Sequence, residues 1–354
     1  PLFGILHVWW MGGSESSTGW IMIEQQTRVG VRGMSGDGSR MRRGVDGIGS
    51  RFCIFGMSCA DNDDIASVVV EGRPMDANRP PKPVCCAKPA YRMMQQAIGE
   101  LNQPDGLIRG AVALSMHQMR DASHDEVVQT LESHAAEIAG RVRGRQTQAK
   151  LAHLHELLFD TLGYGGDNDD YFNPLNSYLP AAITLRRGLP ITLSLVYKCV
   201  AERVGLRVRG VGLPGHFIVA VRERGNWLHV DPFHGGRVLS EDDARELIHE
   251  LFAGDVSFSR SMLAPVTPRH WLGRMLQNLL HVFTQSEQYT NVAAVLELEQ
   301  LLFPNEPMLQ RDLALVLARV GQKREAGVYL RQYLQTHPDD PIVDELRQLL
   351  GAIG

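Results

Sequence analysis

Between Tyr171 and Gly236 the chain reads as a buried helix followed by an antiparallel sheet, with a polar residue at the edge of two successive strands. Arg187-Gly188-Leu189-Pro190-Ile191-Thr192 opens the helix, because a proline in the first helical turn gives up an N–H that would be unpaired anyway. Gly205 closes it, as a residue that takes the left-handed conformation without strain. Residues 206–212, 217–221 and 227–230 read as strands, and Arg224-Gly225-Asn226 as a hairpin turn. His216 begins one strand, and Asp231 ends the next, fifteen residues on. Antiparallel pairing brings these side chains together if they share a face.

A helix terminus, a His and an Asp in this order are the frame of a Cys-His-Asp site. There the helix end stabilises a thiolate, the His acts as base and the Asp orients it. The cysteine is missing. Thr192 and Ser194 are the hydroxyls nearest the helix start; they serve either as unusual nucleophiles or as hydrogen-bond partners of the free N–H groups and the loop. Cys199 lies nine residues past Pro190, half-way round at about 100° per residue, so it should face away from His216 as a small buried hydrophobe. His216 is either a working base or the buried partner of Asp231, and Asp231 in Asp-Pro-Phe also suits a structural turn. His229 alternates with Val230 and should face solvent or the other side of the sheet. His234 could complete a metal site with His216 and Asp231, but a second carboxylate or thiol is lacking, and no metal or other cofactor is expected. Tyr171 and Asn176 sit in a polar loop that either lines a cleft or caps a helix.

Residues 1–92 differ from this pattern. Gly30, Gly33, Gly36, Gly38, Gly44, Gly47 and Gly49 crowd with Arg40, Arg42 and Arg43, and Pro80, Pro81, Pro83 and Pro89 follow. Ordering such a stretch costs much entropy and buries little. It is expected to be disordered or a non-native extension, with the native start near Met93 or Met94. Cys53 and Cys59 have no partner pair or nearby His for zinc, and the cysteine usage fits a reducing cytoplasm. A net charge of -4 gives no sign of nucleic acid, and no apolar run of about 18 residues suggests a membrane span.

Helical spacing begins at Asp125, with a first helix through residue 142 and a second over 148–162, followed by a short helix over 178–186 capped by Asn176 or Ser177 and ended by Gly188. Ser240-Glu241-Asp242-Asp243 starts another helix, with a capping Ser and an acidic first turn. From Pro268 onward every segment is helical. Leu302-Phe303-Pro304 and Thr336-His337-Pro338 repeat with the 34-residue period of tetratricopeptide units. Two units are too few to stand alone, so the array should pack on the central domain.

Four linked motifs carry a resemblance: Asp170-Tyr171-Phe172-Asn173-Pro174-Leu175-Asn176-Ser177-Tyr178-Leu179, Arg187-Gly188-Leu189-Pro190-Ile191-Thr192-Leu193, Gly212-Leu213-Pro214-Gly215-His216-Phe217 and Asp231-Pro232-Phe233-His234-Gly235-Gly236. With Asn278-Leu279 and Arg311-Asp312-Leu313 they closely resemble the Sir-B-one family over about residues 95–350. These are bacterial transglutaminase-like proteins with a tetratricopeptide-like tail, named for a regulatory role. The resemblance implies an α+β, papain-like core over 93–265 and an all-α array over 268–352. Aligning helix ends with active transglutaminase-like proteins puts Pro190 where their cysteine stands. His216 and Asp231 then remain as two members of a triad, with Tyr171, Asn176, Thr192, Ser194 and His234 around the cleft. A regulatory protein that binds a protein or peptide through the array is the first expectation. An acyl transferase or amide hydrolase using His216 and Asp231 with a non-Cys nucleophile is the alternative.

Overall fold

The computed structural model describes residues 8–12, 19–24, 51–53, 82–142 and 146–353. Three short strands, β1 (Val8–Gly12), β2 (Gly19–Glu24) and β3 (Arg51–Cys53), form an antiparallel sheet in the segment expected to be disordered. The runs Val8-Trp9-Trp10 and Trp20-Ile21-Met22-Ile23 have the aromatic and β-branched content that favours strands. Cys59 and the side chain of Cys53 lie outside the described residues.

The boundary expected at residue 93 also moves. Helix α1 (Lys88–Glu100) starts earlier, with Pro89 in its first turn, and buries Ala90, Tyr91, Met94 and Ala97. Ahead of it the amides of Val84, Cys85 and Cys86 donate to the Glu297 carboxylate at 2.6, 3.1 and 2.6 Å. Pro89 therefore starts a helix here, as proline is suited to do. Helix α2 (Gly106–Ser115) follows, buried along nearly its whole length.

Helix α3 (His124–Arg141) is capped by Ser123, whose hydroxyl accepts from the Glu126 amide. Helix α4 (Thr147–His155) runs on into a π-helical turn over Glu156–Thr161. Helix α5 (Leu179–Leu185) has no side-chain cap. Asn176 and Ser177, expected to cap it, belong instead to a 3-10 turn over Pro174–Ser177 that Asn173 caps through Leu175 N. Arg186 in the left-handed conformation, rather than Gly188, ends α5. Two-residue strands β4 (Gly165–Gly166) and β5 (Arg187–Gly188) pair in parallel and lead into helix α6 (Pro190–Arg203), with Pro190 in its first turn and left-handed Gly205 after it.

The main sheet is a four-stranded antiparallel meander, β6 (Val208–Val211), β7 (Ile218–Glu223), β8 (Asn226–Asp231) and β9 (Arg237–Leu239), in that order. Arg224 and Gly225 both have positive φ in the two-residue β7–β8 turn, the geometry that matches strand twist. One face of the sheet puts Phe217, Val219, Val221 and Val230 into the main core. The other packs Ile218, Ala220 and Leu239 on Ile248 of helix α7 (Glu241–Leu251), which Ser240 and Asp243 start with a capping box.

The tail is helices α8 (Pro268–Gln285), α9 (Tyr289–Leu302), α10 (Pro307–Arg319), α11 (Lys323–Thr336) and α12 (Val343–Ile353). It packs on the central domain, as its shortness requires. Trp271 of α8 lies against Phe217 with ring centroids 4.6 Å apart, and the main core continues from the sheet through Leu276, Leu313 and Leu330.

Candidate functional site

The loop ahead of β7 turns at left-handed Gly215 and delivers His216 into the interior. Arg274 of α8 holds this loop: its Nη2 donates to the carbonyls of Leu213 and His216 at 3.0 and 3.1 Å. The same guanidinium lies 5.3 Å from the Phe217 ring centroid. Its Nη1 lies so close to Gly212 that a Cβ there would come within 2.3 Å. Burial lowers the Arg274 pKa to about 10.

The register Val219↔Val230 brings the loop before β7 beside the end of β8. His216 Nε2 lies 2.8 Å from Asp231 Oδ2, with the two residues 7% and 1% exposed. The expected His–Asp pair is thus formed. His234 joins it, with Nδ1 2.7 Å from the same oxygen. Asp231 Oδ1 accepts from the amides of Phe233 and His234 at 3.0 and 3.3 Å. Burial pushes the Asp231 carboxyl up, but the hydrogen bonds and charge of the two imidazoles outweigh it and hold the group well below the usual carboxylate range. The hydrogen bond to Asp231 raises His234, against a smaller lowering by burial. The donor atoms of His216, Asp231 and His234 lie within 4.8 Å of one another.

Beside His216 is a pocket of about 90 Å³, lined by Tyr171, Pro190, Ile191, Gly215, Phe217, Arg274 and Asn278. Pro190, in the first turn of α6, lines this pocket together with His216, and its ring carries no nucleophilic atom. The pocket is far smaller than the roughly 300–1,000 Å³ of a small-molecule site.

Of the residues expected around the cleft, Asn176, Thr192, Ser194 and His234 do not line this pocket, and His234 is instead half-exposed beside Asp231. Thr192 and Ser194 are fully buried and do not line the pocket. Ser194 donates to the Phe217 carbonyl at 3.3 Å, tying α6 to the sheet. Asn176 is buried beneath the start of α6. Its Nδ2 donates to the Asp170 carbonyl at 2.8 Å, and its carbonyl accepts from Leu189 N, the residue that precedes the helix. The phase of α6 turns Thr192 and Ser194 inward, and the Thr192 hydroxyl has no hydrogen-bond partner among the described residues. Cys199 is buried off the pocket, and burial pushes its thiol up to about 12, away from reactive thiolate. His229 pairs with Ala220 and Leu239, on the side of the sheet that packs on α7. Tyr171 does line the pocket, and its ring meets Phe233 edge-on at 6.0 Å.

Arg274 was not legible as a site residue. The one signal it leaves is its position three residues after Trp271, a charge on an otherwise apolar helical face.

Residues 125–277 match the transglutaminase-like superfamily and residues 279–351 the tetratricopeptide repeat. The fold is thus a transglutaminase-like domain followed by a tetratricopeptide-repeat helical region. A UPF0162 protein of Xylella fastidiosa (strain 9a5c) is 35% identical over 201 residues, which cover 56% of this chain and 72% of that one. A UPF0162 protein of Vibrio cholerae is 24% identical, over 70% of this chain and 92% of its own length. F-box only protein 21 of Homo sapiens is 25% identical, over 44% of this chain and 26% of its own length.

Proposed function

The chain belongs to the family of UPF0162 proteins, and we propose that it acts as a regulatory protein that binds a protein or peptide partner, on a transglutaminase-like scaffold without transglutaminase chemistry. The observation that carries this reading is Pro190, which lines the pocket together with His216. An acyl transfer needs a nucleophile within reach of the imidazole, and the hydroxyls of Thr192 and Ser194 are buried off the pocket. That leaves the enzymatic alternative without an attacking group from α6. Tetratricopeptide repeats generally mediate protein–protein interaction, which supports the array as the docking element. The resemblance to the Sir-B-one family supports a regulatory role. The free thiols of Cys85, Cys86 and Cys199 accord with a reducing, cytoplasmic setting, and among the described residues no helix is long and apolar enough to cross a membrane.

Removing the array is a poor test, because its helices share the main core. Charge reversal of exposed Arg324 and Arg331 on α11 leaves that core intact. Capture from the producing cells with the parent, His216→Ala and Arg324→Glu/Arg331→Glu proteins is the direct experiment. A partner retained by His216→Ala and reduced about tenfold or more by the double reversal, the loss of about 1.4 kcal/mol of binding, is expected. Turnover of a peptide amide that disappears in folded His216→Ala would overturn the reading.

A further inference from the structure

We propose that His216, Asp231 and His234 form a binding site for a divalent transition-metal ion, zinc foremost, with a coordination position left open. The Nε2 of His216, the Oδ2 of Asp231 and the Nδ1 of His234 converge from the loop before β7, the end of β8 and the turn after it. Orienting one imidazole requires only one carboxylate and one His. The second imidazole adds nothing to that task, yet it completes a set of two nitrogens and one oxygen, the donor type that suits zinc and its neighbours and disfavours calcium and magnesium.

Charge points the same way. Asp231 is 1% exposed, and its ion-pair partners among the described residues are the two imidazoles. A buried carboxylate needs a positive partner. The Arg274 guanidinium nearby is turned to the carbonyls of Leu213 and His216 instead. A cation between the three donors supplies the counter-charge directly.

The ligands are also held in place from behind. The two amides on Asp231 Oδ1 fix the carboxylate and leave Oδ2 for the ion. Arg274 fixes the His216 loop. Gly235 and Gly236, both left-handed, shape the turn of His234, and a Cβ on Gly236 would come within 2.3 Å of the Phe159 ring. Zinc bonds of about 2.0–2.1 Å set tetrahedral donors about 3.3 Å apart, so each His–Asp separation need widen by only about half an ångström. The His234 side chain is 50% exposed, which gives it room to move and gives the ion a route in.

The test uses tag-free full-length protein, stripped with EDTA, dialysed and titrated calorimetrically with zinc sulfate. One ion per chain is expected. Affinity should fall at least about 100-fold in His234→Ala and in Asp231→Asn, and stay unchanged in His229→Ala, which removes an imidazole from the other side of the sheet. Cobalt bound to the unmutated protein should show visible d–d absorption without a thiolate charge-transfer band; this reports the ligands without any variant and separates the site from the free cysteines. No saturable heat overturns the proposal, as does affinity unchanged in His234→Ala or a thiolate band. The partner-binding reading is tested separately, by capture with the Arg324→Glu/Arg331→Glu protein, so a failed zinc titration leaves it standing.

Discussion

Glu299 is 1% exposed, its Oε1 accepts from the Gln277 amide, and its Oε2 is buried with no partner among the described residues. Burial, reinforced by Asp312 and Glu306 and opposed by Gln277, raises its pKa to about 8. The unfolded chain titrates this group near the ordinary value of 4.5. Between those values the folded protein holds one more proton than the unfolded one, so the Glu299 contribution to stability is full below pH 4.5, declines as pH rises through 8, and then levels off. Glu299→Gln keeps the shape and an acceptor while removing the charge. Its melting temperature should exceed the parent's by about 2–5 °C at pH 9 and by little at pH 5. An equal gain at both pH values would show that the side chain stays ionised. The same scale explains what could be read of the site in advance. His216, Asp231 and Pro190 sit at element ends, which sequence marks well. Whether Thr192 and Ser194 reach a cleft depends on helix rotation and on the neighbours they meet, which their own positions leave open.

At the level of elements, β6 and α8 interlock through the absence of a side chain. A Cβ at Gly210 would lie 2.2 Å from the Trp271 ring and 3.0 Å from that of Phe217. Gly210→Ala should therefore destabilise the protein by about 1–3 kcal/mol, seen as a lower denaturant midpoint at constant slope. An unchanged midpoint would mean that β6 and α8 do not pack this closely. The tail helices α8–α11 were legible, since proline starts or follows them and Gly321 ends one. Helix α1 was masked by its proline-rich flank. Helix α2 was masked by being apolar on nearly every side, so it shows no contrast of faces. Its Gly110 reads as a helix weakener, yet a Cβ there would meet Leu272 at 2.3 Å, so tertiary packing overrides local propensity.

Across the whole molecule, one core joins α1, the central domain and the helical array. Glu297 of α9 closes this assembly by accepting the amides of Val84, Cys85 and Cys86 from a stretch more than two hundred positions away. A chain begun at Lys82 keeps that clamp and the buried Cys86, Ala90 and Tyr91; one begun at Met93 loses them. The shorter chain should be less stable by about 3 kcal/mol or more, from lost burial and three orphaned charge-assisted hydrogen bonds, as urea unfolding can measure. Equal stability would detach residues 84–92 from the folded body.

Sequence by itself determined the order of elements around the site, the 34-residue rhythm of the tail and the proline that opens α6. Those features are written in local chemistry: a proline tolerated in the first turn of a helix but not inside it, glycines that can adopt positive φ, apolar residues at fixed spacing. Tertiary structure alone decided that His234 turns onto the oxygen already bonded to His216, that Arg274 clamps the His216 loop, and that Val84–Cys86 belong to the fold. Each of these joins separate segments or depends on how a turn is folded, and such contacts are set by packing and by the demand that buried charge find a partner.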